Sequence, residues 1–154
     1  MAEVLTIDPC AKGLSKGQLV VAKLYDPMYI DDDEFYVNPF LVADKEYTHE
    51  VAAYRAFSDF QGSTIPQYYG SYSLDIPLET MENKLILIQY IPGISMQKAI
   101  SGQFSLEFRQ NIMKSLVESD TLVYAKNILL RDLHPRNVIM TESGHIVFID
   151  FCGC

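Results

Sequence analysis

Across residues 44–60 the apolar side chains recur at helical spacing, and on either side of that stretch they alternate as in strands. This switch of period constrains the fold more than any other feature. Tyr47, Val51, Tyr54 and Phe57 mark one helical stripe, with Ala52, Ala53 and Ala56 filling between them. Asp44 is expected to cap the start, and Glu46 suits the positive end of the helix dipole. Upstream, residues 18–25 read as a strand centred on Val20 and Val21, after a short apolar run at 4–7 and a turn-rich stretch at 8–17. Downstream, Gly62 and Pro66 close the helix. Strand patterns at 67–73 and 85–91 then flank a polar connection holding Pro77 and Asn83, and Ile91-Pro92-Gly93 breaks the second of them. A weak helical pattern at 95–100 precedes a stronger helix with Ser105 as its cap and Glu107 in its first turn, running to about Lys126. Its apolar stripe is Phe108, Ile112, Leu116, Met113 and Val117. Two short strands follow at 138–140 and 145–150, joined by Glu142-Ser143-Gly144. The order strands, helix, strands, helix, hairpin predicts an α+β fold rather than a doubly wound parallel sheet.

The chain of 154 residues is the length of one domain, and its 49% hydrophobic content is enough for a packed core. Twenty acidic against twelve basic residues leave a net charge of −8, a field that repels phosphate backbones, so nucleic acid is not an expected partner. No apolar run reaches the length of a bilayer span, so no membrane partner is expected. Glu3 and Asp8 stand where a signal peptide would carry positive charge. Cys10, Cys152 and Cys154 cannot all pair within one chain, and an intracellular, cytoplasmic, reducing setting is expected. The acidic cluster Asp31, Asp32, Asp33, Glu34 reads as a solvated loop, because adjacent carboxylates repel unless a fold converges them.

The sharpest chemical signal is Arg131-Asp132-Leu133-His134-Pro135-Arg136-Asn137, followed by Ile149-Asp150-Phe151. Asp132 and Asn137 sit in a loop stiffened by Pro135, and Asp150 ends a hairpin that begins just after Asn137. A hairpin brings its two ends together, so Asn137 and Asp150 can present oxygen atoms to one point. A carboxylate and an amide carbonyl suit Mg²⁺, which takes few protein ligands and completes its shell with water and phosphate. Asp132 would stand nearby as a base or positioning group for an incoming hydroxyl. Taken singly, each of these residues is also an ordinary turn former or strand-end residue.

On these residues the chain resembles the protein-kinase-like superfamily. Arg131-Asp132-Leu133 with Asn137 matches the pattern H-R-D-L-x-x-x-N except at Leu130, and Asp150-Phe151 matches the start of D-F-G. Val21-Ala22-Lys23 resembles V-A-I-K, Glu50 lies on the helix that would supply its partner, and residues 85–91 resemble the hinge segment. Ala22-Lys23-Leu24-Tyr25-Asp26-Pro27 and Pro66-Gln67-Tyr68-Tyr69-Gly70-Ser71 look most like a group of fungal kinase-like proteins. Asp132-Leu133-His134-Pro135 looks like the aminoglycoside and choline phosphotransferase branch. The resemblance covers about Val20 to Phe151.

It implies a protein-kinase-like fold: an antiparallel N-lobe sheet with one helix over about residues 1–91, hinge included, and the first helix and catalytic-loop hairpin of an incomplete C-lobe over about 92–154. It further implies that Lys23 contacts the α- and β-phosphates of ATP, held by an ion pair with Glu50. Alternation puts Leu19, Val21, Lys23 and Tyr25 on one strand face, so Val21 could pack against adenine. Backbone groups near Gln89 and Ile91 would bond the adenine edge. Asp132 would orient the acceptor hydroxyl, Asn137 and Asp150 would hold Mg²⁺, and His134 would either donate to a phosphate or pack within its loop.

Four departures from the family pattern stand out. No glycine-rich loop precedes Lys23, because Lys12-Gly13-Leu14-Ser15-Lys16-Gly17 lies where a connecting turn belongs. Cys152 takes the place of the D-F-G glycine, and Leu130 that of the catalytic-loop histidine. The pattern also stops at Cys154, so the domain is expected to be truncated at both ends. Part of the helix stripe at Phe108, Ile112 and Leu116 is then expected to lie exposed, inviting self-association or a partner chain. Two functions follow from the resemblance. One is an ATP-dependent phosphotransferase acting on a protein or small-molecule hydroxyl. The other is a non-catalytic kinase-like remnant that serves as a binding module.

Overall fold

A computed structural model describes residues 2–6, 14–29, 38–74, 83–125 and 133–151, with residues 2–6 and 74 described through the backbone alone. The described chain is α+β and divides into two compact units, Met1–Ala56 with Gln67–Tyr90 and Phe57–Pro66 with Ile91–Cys154.

The first unit is built on β1 (Ala2–Thr6), β2 (Leu19–Tyr25), β3 (Tyr68–Leu74) and β4 (Asn83–Gln89), antiparallel in the order β1-β2-β4-β3. The register of β2 on β4 sets Lys23 opposite Ile86 and Val21 opposite Ile88. On the other face Val20 packs with Leu14 and Leu87, flanked by Ala22, Tyr69 and Leu85. Successive β2 side chains thus serve opposite sides of the sheet, as a two-residue period requires. The chain enters β2 through a tight turn in which the Gln18 amide donates to the Ser15 carbonyl at 3.1 Å. Gly17 carries a φ of 80° there, a left-handed position that glycine takes without steric cost.

Helix α1 spans Pro39–Ala56 and begins five residues before the start expected from the apolar period. The cap is Asn38, whose side-chain oxygen accepts the Phe40 amide at 3.0 Å, and Pro39 fills the first helical position. Asp44 lies inside the helix and pairs with Lys84 instead. The buried stripe of α1 is Ala43, Glu50, Val51, Ala53 and Tyr54, with Tyr54 stacked on Tyr68 at 5.3 Å.

The second unit holds α2 (Leu106–Tyr124) and a three-stranded antiparallel sheet of β5 (Ile94–Ser95), β6 (Val138–Met140) and β7 (Ile146–Phe148). Ser105 caps α2 by accepting the Phe108 amide at 3.1 Å, as its position predicts. The apolar stripe of α2 divides in two. Ile112 and Val123 are buried, whereas Leu106, Met113, Val117 and Tyr124 are more than half exposed. Part of the expected stripe is thus exposed, at Met113 and Val117, while Phe108 and Leu116 are half-buried and Ile112 is buried.

Residues 95–100 also depart from the sequence reading. Ser95 pairs with Ile139 in the sheet, the Met96 amide donates to the Val138 carbonyl at 2.8 Å, and a turn follows. A short stretch of weak helical tendency yields to backbone bonds from a strand distant in sequence. Gly93 permits this pairing, because a Cβ at that position would lie 2.4 Å from the Met140 carbonyl oxygen. Within this unit Phe57, Ile65, Phe148 and Phe151 are almost wholly buried, and the Phe148 amide donates to the Thr64 carbonyl at 2.9 Å.

Candidate functional site

Lys23 and Glu50 meet as an ion pair in the first unit. The Glu50 side chain is fully buried and that of Lys23 is 17% exposed. Glu50 falls three residues after the half-buried Tyr47 and four before the buried Tyr54, so the helical period that turns the tyrosines inward carries the carboxylate with them. A buried carboxylate is costly unless paired and hydrogen-bonded. One of its oxygens meets both conditions: the Lys23 ammonium and the Tyr25 hydroxyl each donate to Glu50 Oε2, while Oε1 is buried without a hydrogen bond among the described residues. Lys23 and Tyr25 reach one oxygen because alternation along β2 puts them on the same face.

Sequence reasoning placed Tyr25 on the Lys23 face but gave it no function. The signal was present in that alternation, as a hydrogen-bonding side chain two residues from the lysine. Val21 is half-buried on the same face. Gln89 ends β4, and its amide is committed to the Gln67 carbonyl at 2.8 Å while its side chain accepts the Gln67 amide at 3.1 Å. Ile91 opens the second chain segment of the second unit and is half-buried.

In the second unit His134, Pro135, Arg136 and Asn137 form one tight turn leading into β6. His134 Nδ1 accepts the Arg136 amide at 3.2 Å, so in the neutral ring the proton sits on Nε2. The side chain thus shapes its own loop and keeps one N–H donor, at Nε2. Asn137 is buried, its amide bonded to the His134 carbonyl at 2.8 Å.

The carbonyl of Asn137 accepts the Ile149 amide at 2.8 Å, which brings the two ends of the β6–β7 hairpin together immediately before Asp150. Asp150 does not extend the strand as expected. β7 ends at Phe148, and Asp150 takes a φ of 67°, a left-handed value found at no other non-glycine position among the described residues. The strand ends where its partner does, since Phe148 pairs with Val138, the first residue of β6. A left-handed aspartate is uncommon, and such positions concentrate at functional sites. Phe151 then turns inward, its ring 5.2 Å from that of Phe57.

The Asn137 amide oxygen and the Asp150 carboxylate are hard oxygen donors, the type that suits Mg²⁺. Two donors make a partial shell, and among the described residues no group of three or more His, Cys, Asp or Glu gathers to complete a metal cage. Asp132, Leu130, Cys152, the glycine at 13 and the acidic cluster 31–34 lie outside the described residues. A separate open groove of about 460 Å³ in the second unit is lined by Gly93, Ile94, Phe104, Phe108 and Met140 among others, and none of the candidate residues lines it.

Comparison with known proteins adds sequence relatives. The chain is 34% identical over 91 residues to serine/threonine-protein kinase D of Synechocystis, across 58% of this chain and 16% of that protein. It is 30% identical over 97 residues to the mitogen-activated protein kinase kinase kinase YODA of Arabidopsis thaliana, covering 61% and 10%. It is 26% identical over 120 residues to the MAP kinase kinase MKK1/SSP32 of Saccharomyces cerevisiae, covering 72% and 22%. These matches support a kinase-like chain.

The kinase-like chain spans between about a tenth and a quarter of the length of these curated relatives. No family model matches it. Its fold is similar to that in a crystal structure of WbdD, with a TM-score of 0.58 at 16% identity over 86% of this chain and 27% of the other. Among the described residues no helix is long and apolar enough to cross a membrane.

Proposed function

We propose that this chain carries the nucleotide-binding part of an ATP-dependent phosphotransferase acting on a protein or small-molecule hydroxyl in an intracellular setting. The observation that carries the reading is the buried Glu50 carboxylate holding the Lys23 ammonium on the face of β2 that also bears Val21. An ammonium oriented this way is suited to the α- and β-phosphates of ATP, while Val21 offers an apolar surface to adenine. Gln89 and Ile91 would supply backbone groups for the adenine edge, and Nε2 of His134 a donor to phosphate.

Asn137 and Asp150 would hold Mg²⁺, which when bound neutralises charge on the phosphates. By resemblance, Asp132 would orient the acceptor hydroxyl and receive its proton. The residues named here bind, orient and balance charge, which is most of what phosphoryl transfer asks of a protein.

Calorimetric titration of MgATP into the wild-type chain and into Asp150→Ala tests this. The expected result is binding by the wild type and a loss of roughly tenfold or more in the variant. Equal heats, or none in either, would remove the metal site.

A second reading, a non-catalytic kinase-like binding module, is favoured by one observation. The segment entering β2 is a tight turn closed between Ser15 and Gln18, without the glycine spacing of a phosphate-covering loop. Phosphotransfer by the purified chain that Asp132→Ala abolishes would exclude it.

A further inference from the structure

We infer that Tyr25 is a positioning residue for the Lys23–Glu50 pair, its phenol fixing the Glu50 carboxylate in the orientation that receives Lys23. The inference rests on the nucleotide-binding role proposed for Lys23 and concerns how that side chain is aimed.

Both donors converge on Glu50 Oε2, and Tyr25 is buried while it does so. A glutamate held by lysine alone keeps several rotamers, because both side chains are long and flexible. The phenol adds a second donor on a rigid ring with few torsions. That ring is itself framed: Tyr47 meets it edge-on at 5.5 Å and 76°, and Lys23 Nζ lies 5.7 Å from its centroid. Lys84 Nζ sits 5.0 Å from the Tyr47 centroid and pairs with Asp44.

The contributors come from two elements with matching periods. Asp44, Tyr47 and Glu50 recur every three residues along α1, while Lys23 and Tyr25 are alternate residues of β2. Tyr25 is also the register partner of Lys84 on β4. The helix is thereby fastened to the sheet at three successive levels, and Tyr25 occupies the level that bears on the ion pair.

The test measures how fast an N-hydroxysuccinimide ester acylates Lys23 in the full chain, read by mass spectrometry relative to the exposed Lys98. A paired ammonium is a poor nucleophile, so the ratio reports on the pair directly. Wild type, Tyr25→Phe, Glu50→Gln and the double variant are compared, with melting temperatures as a check on folding. Expected is a rise of roughly tenfold in Tyr25→Phe, a similar rise in Glu50→Gln, and no further rise in the double variant. An unchanged or slower rate in Tyr25→Phe, or additive effects in the double variant, would overturn the inference.

Should Tyr25→Phe fold poorly, Tyr47→Leu keeps the phenol and removes its frame. A smaller rise in the same direction is expected, and an unchanged ratio counts against the role. Adding a non-hydrolysable MgATP analogue to the wild type separates this inference from the reading beneath it. Failure to protect Lys23 would remove the nucleotide role and leave the Tyr25 result standing.

Discussion

The amide of Ile149 donates to the carbonyl of Asn137 at 2.8 Å, and the residue that follows this bond, Asp150, is left-handed. The bond closes the open end of the β6–β7 hairpin and sets where the chain must leave the sheet. Asn137 and Asp150 are thirteen positions apart in sequence, yet one backbone bond beside them ties their approach.

The φ of 67° at Asp150 makes a stability prediction distinct from any role in binding. Glycine adopts this conformation freely, whereas alanine bears a steric penalty of about 1 kcal/mol. Asp150→Gly is expected to be more stable than Asp150→Ala by about that amount in urea unfolding. Both should lose Mg²⁺-dependent nucleotide binding. Equal midpoints would contradict the left-handed backbone.

Removing Lys23 leaves the Glu50 carboxylate buried with one donor fewer. Lys23→Met is expected to destabilise the chain by about 3 kcal/mol, the range for breaking a buried pair from one side. Lys23→Met combined with Glu50→Gln should lose less, since no buried charge then remains. Thermal unfolding of the two variants checks this, and a larger loss in the double variant would contradict it.

Gly93 and Gly102 form a matched comparison. A Cβ at Gly93 would meet the Met140 carbonyl oxygen at 2.4 Å and Ile139 Cγ2 at 2.8 Å, whereas nothing lies within 4 Å at Gly102. Gly93→Ala should cost about 2 kcal/mol, because backbone must shift to admit the methyl. Gly102→Ala should change stability by no more than about 0.5 kcal/mol. Denaturant midpoints separate them, and similar values would argue against the close approach.

Phe151 is 1% exposed and packs against Phe57. Phe151→Ala is expected to cost about 3 kcal/mol through the cavity it leaves. Loss of this anchor also frees the chain directly after Asp150. Faster amide exchange at Ile149 should accompany the destabilisation, and unchanged exchange would show that the hairpin closes independently of Phe151.

Much of the architecture was legible in one dimension. The strand at β2, the hairpin strand Val138–Met140 and the capped helix after Ser105 follow from local periodicity and side-chain capping, which act over a few residues. The early start of α1 was legible too, in the pair Asn38-Pro39, but a search for apolar spacing overlooks a cap that lies outside the stripe. The weak pattern at 95–100 misled because its structure comes from hydrogen bonds to residues some forty positions later.

The sequence by itself determined the inventory of chemistry and the faces on which it could stand. The spacing of Glu50 between Tyr47 and Tyr54 turns its carboxylate toward the interior, and alternation along β2 sets Lys23 beside Tyr25. Such facts follow from fixed helix and strand periods and need no partner. Only the tertiary structure decided that Lys23 and Tyr25 meet Glu50 at a single oxygen, and that Asp150 turns left-handed where β7 loses its partner. Both depend on which elements pack together and in what register, because the carboxylate needs donors from another element and the backbone angle follows from where the hairpin closes.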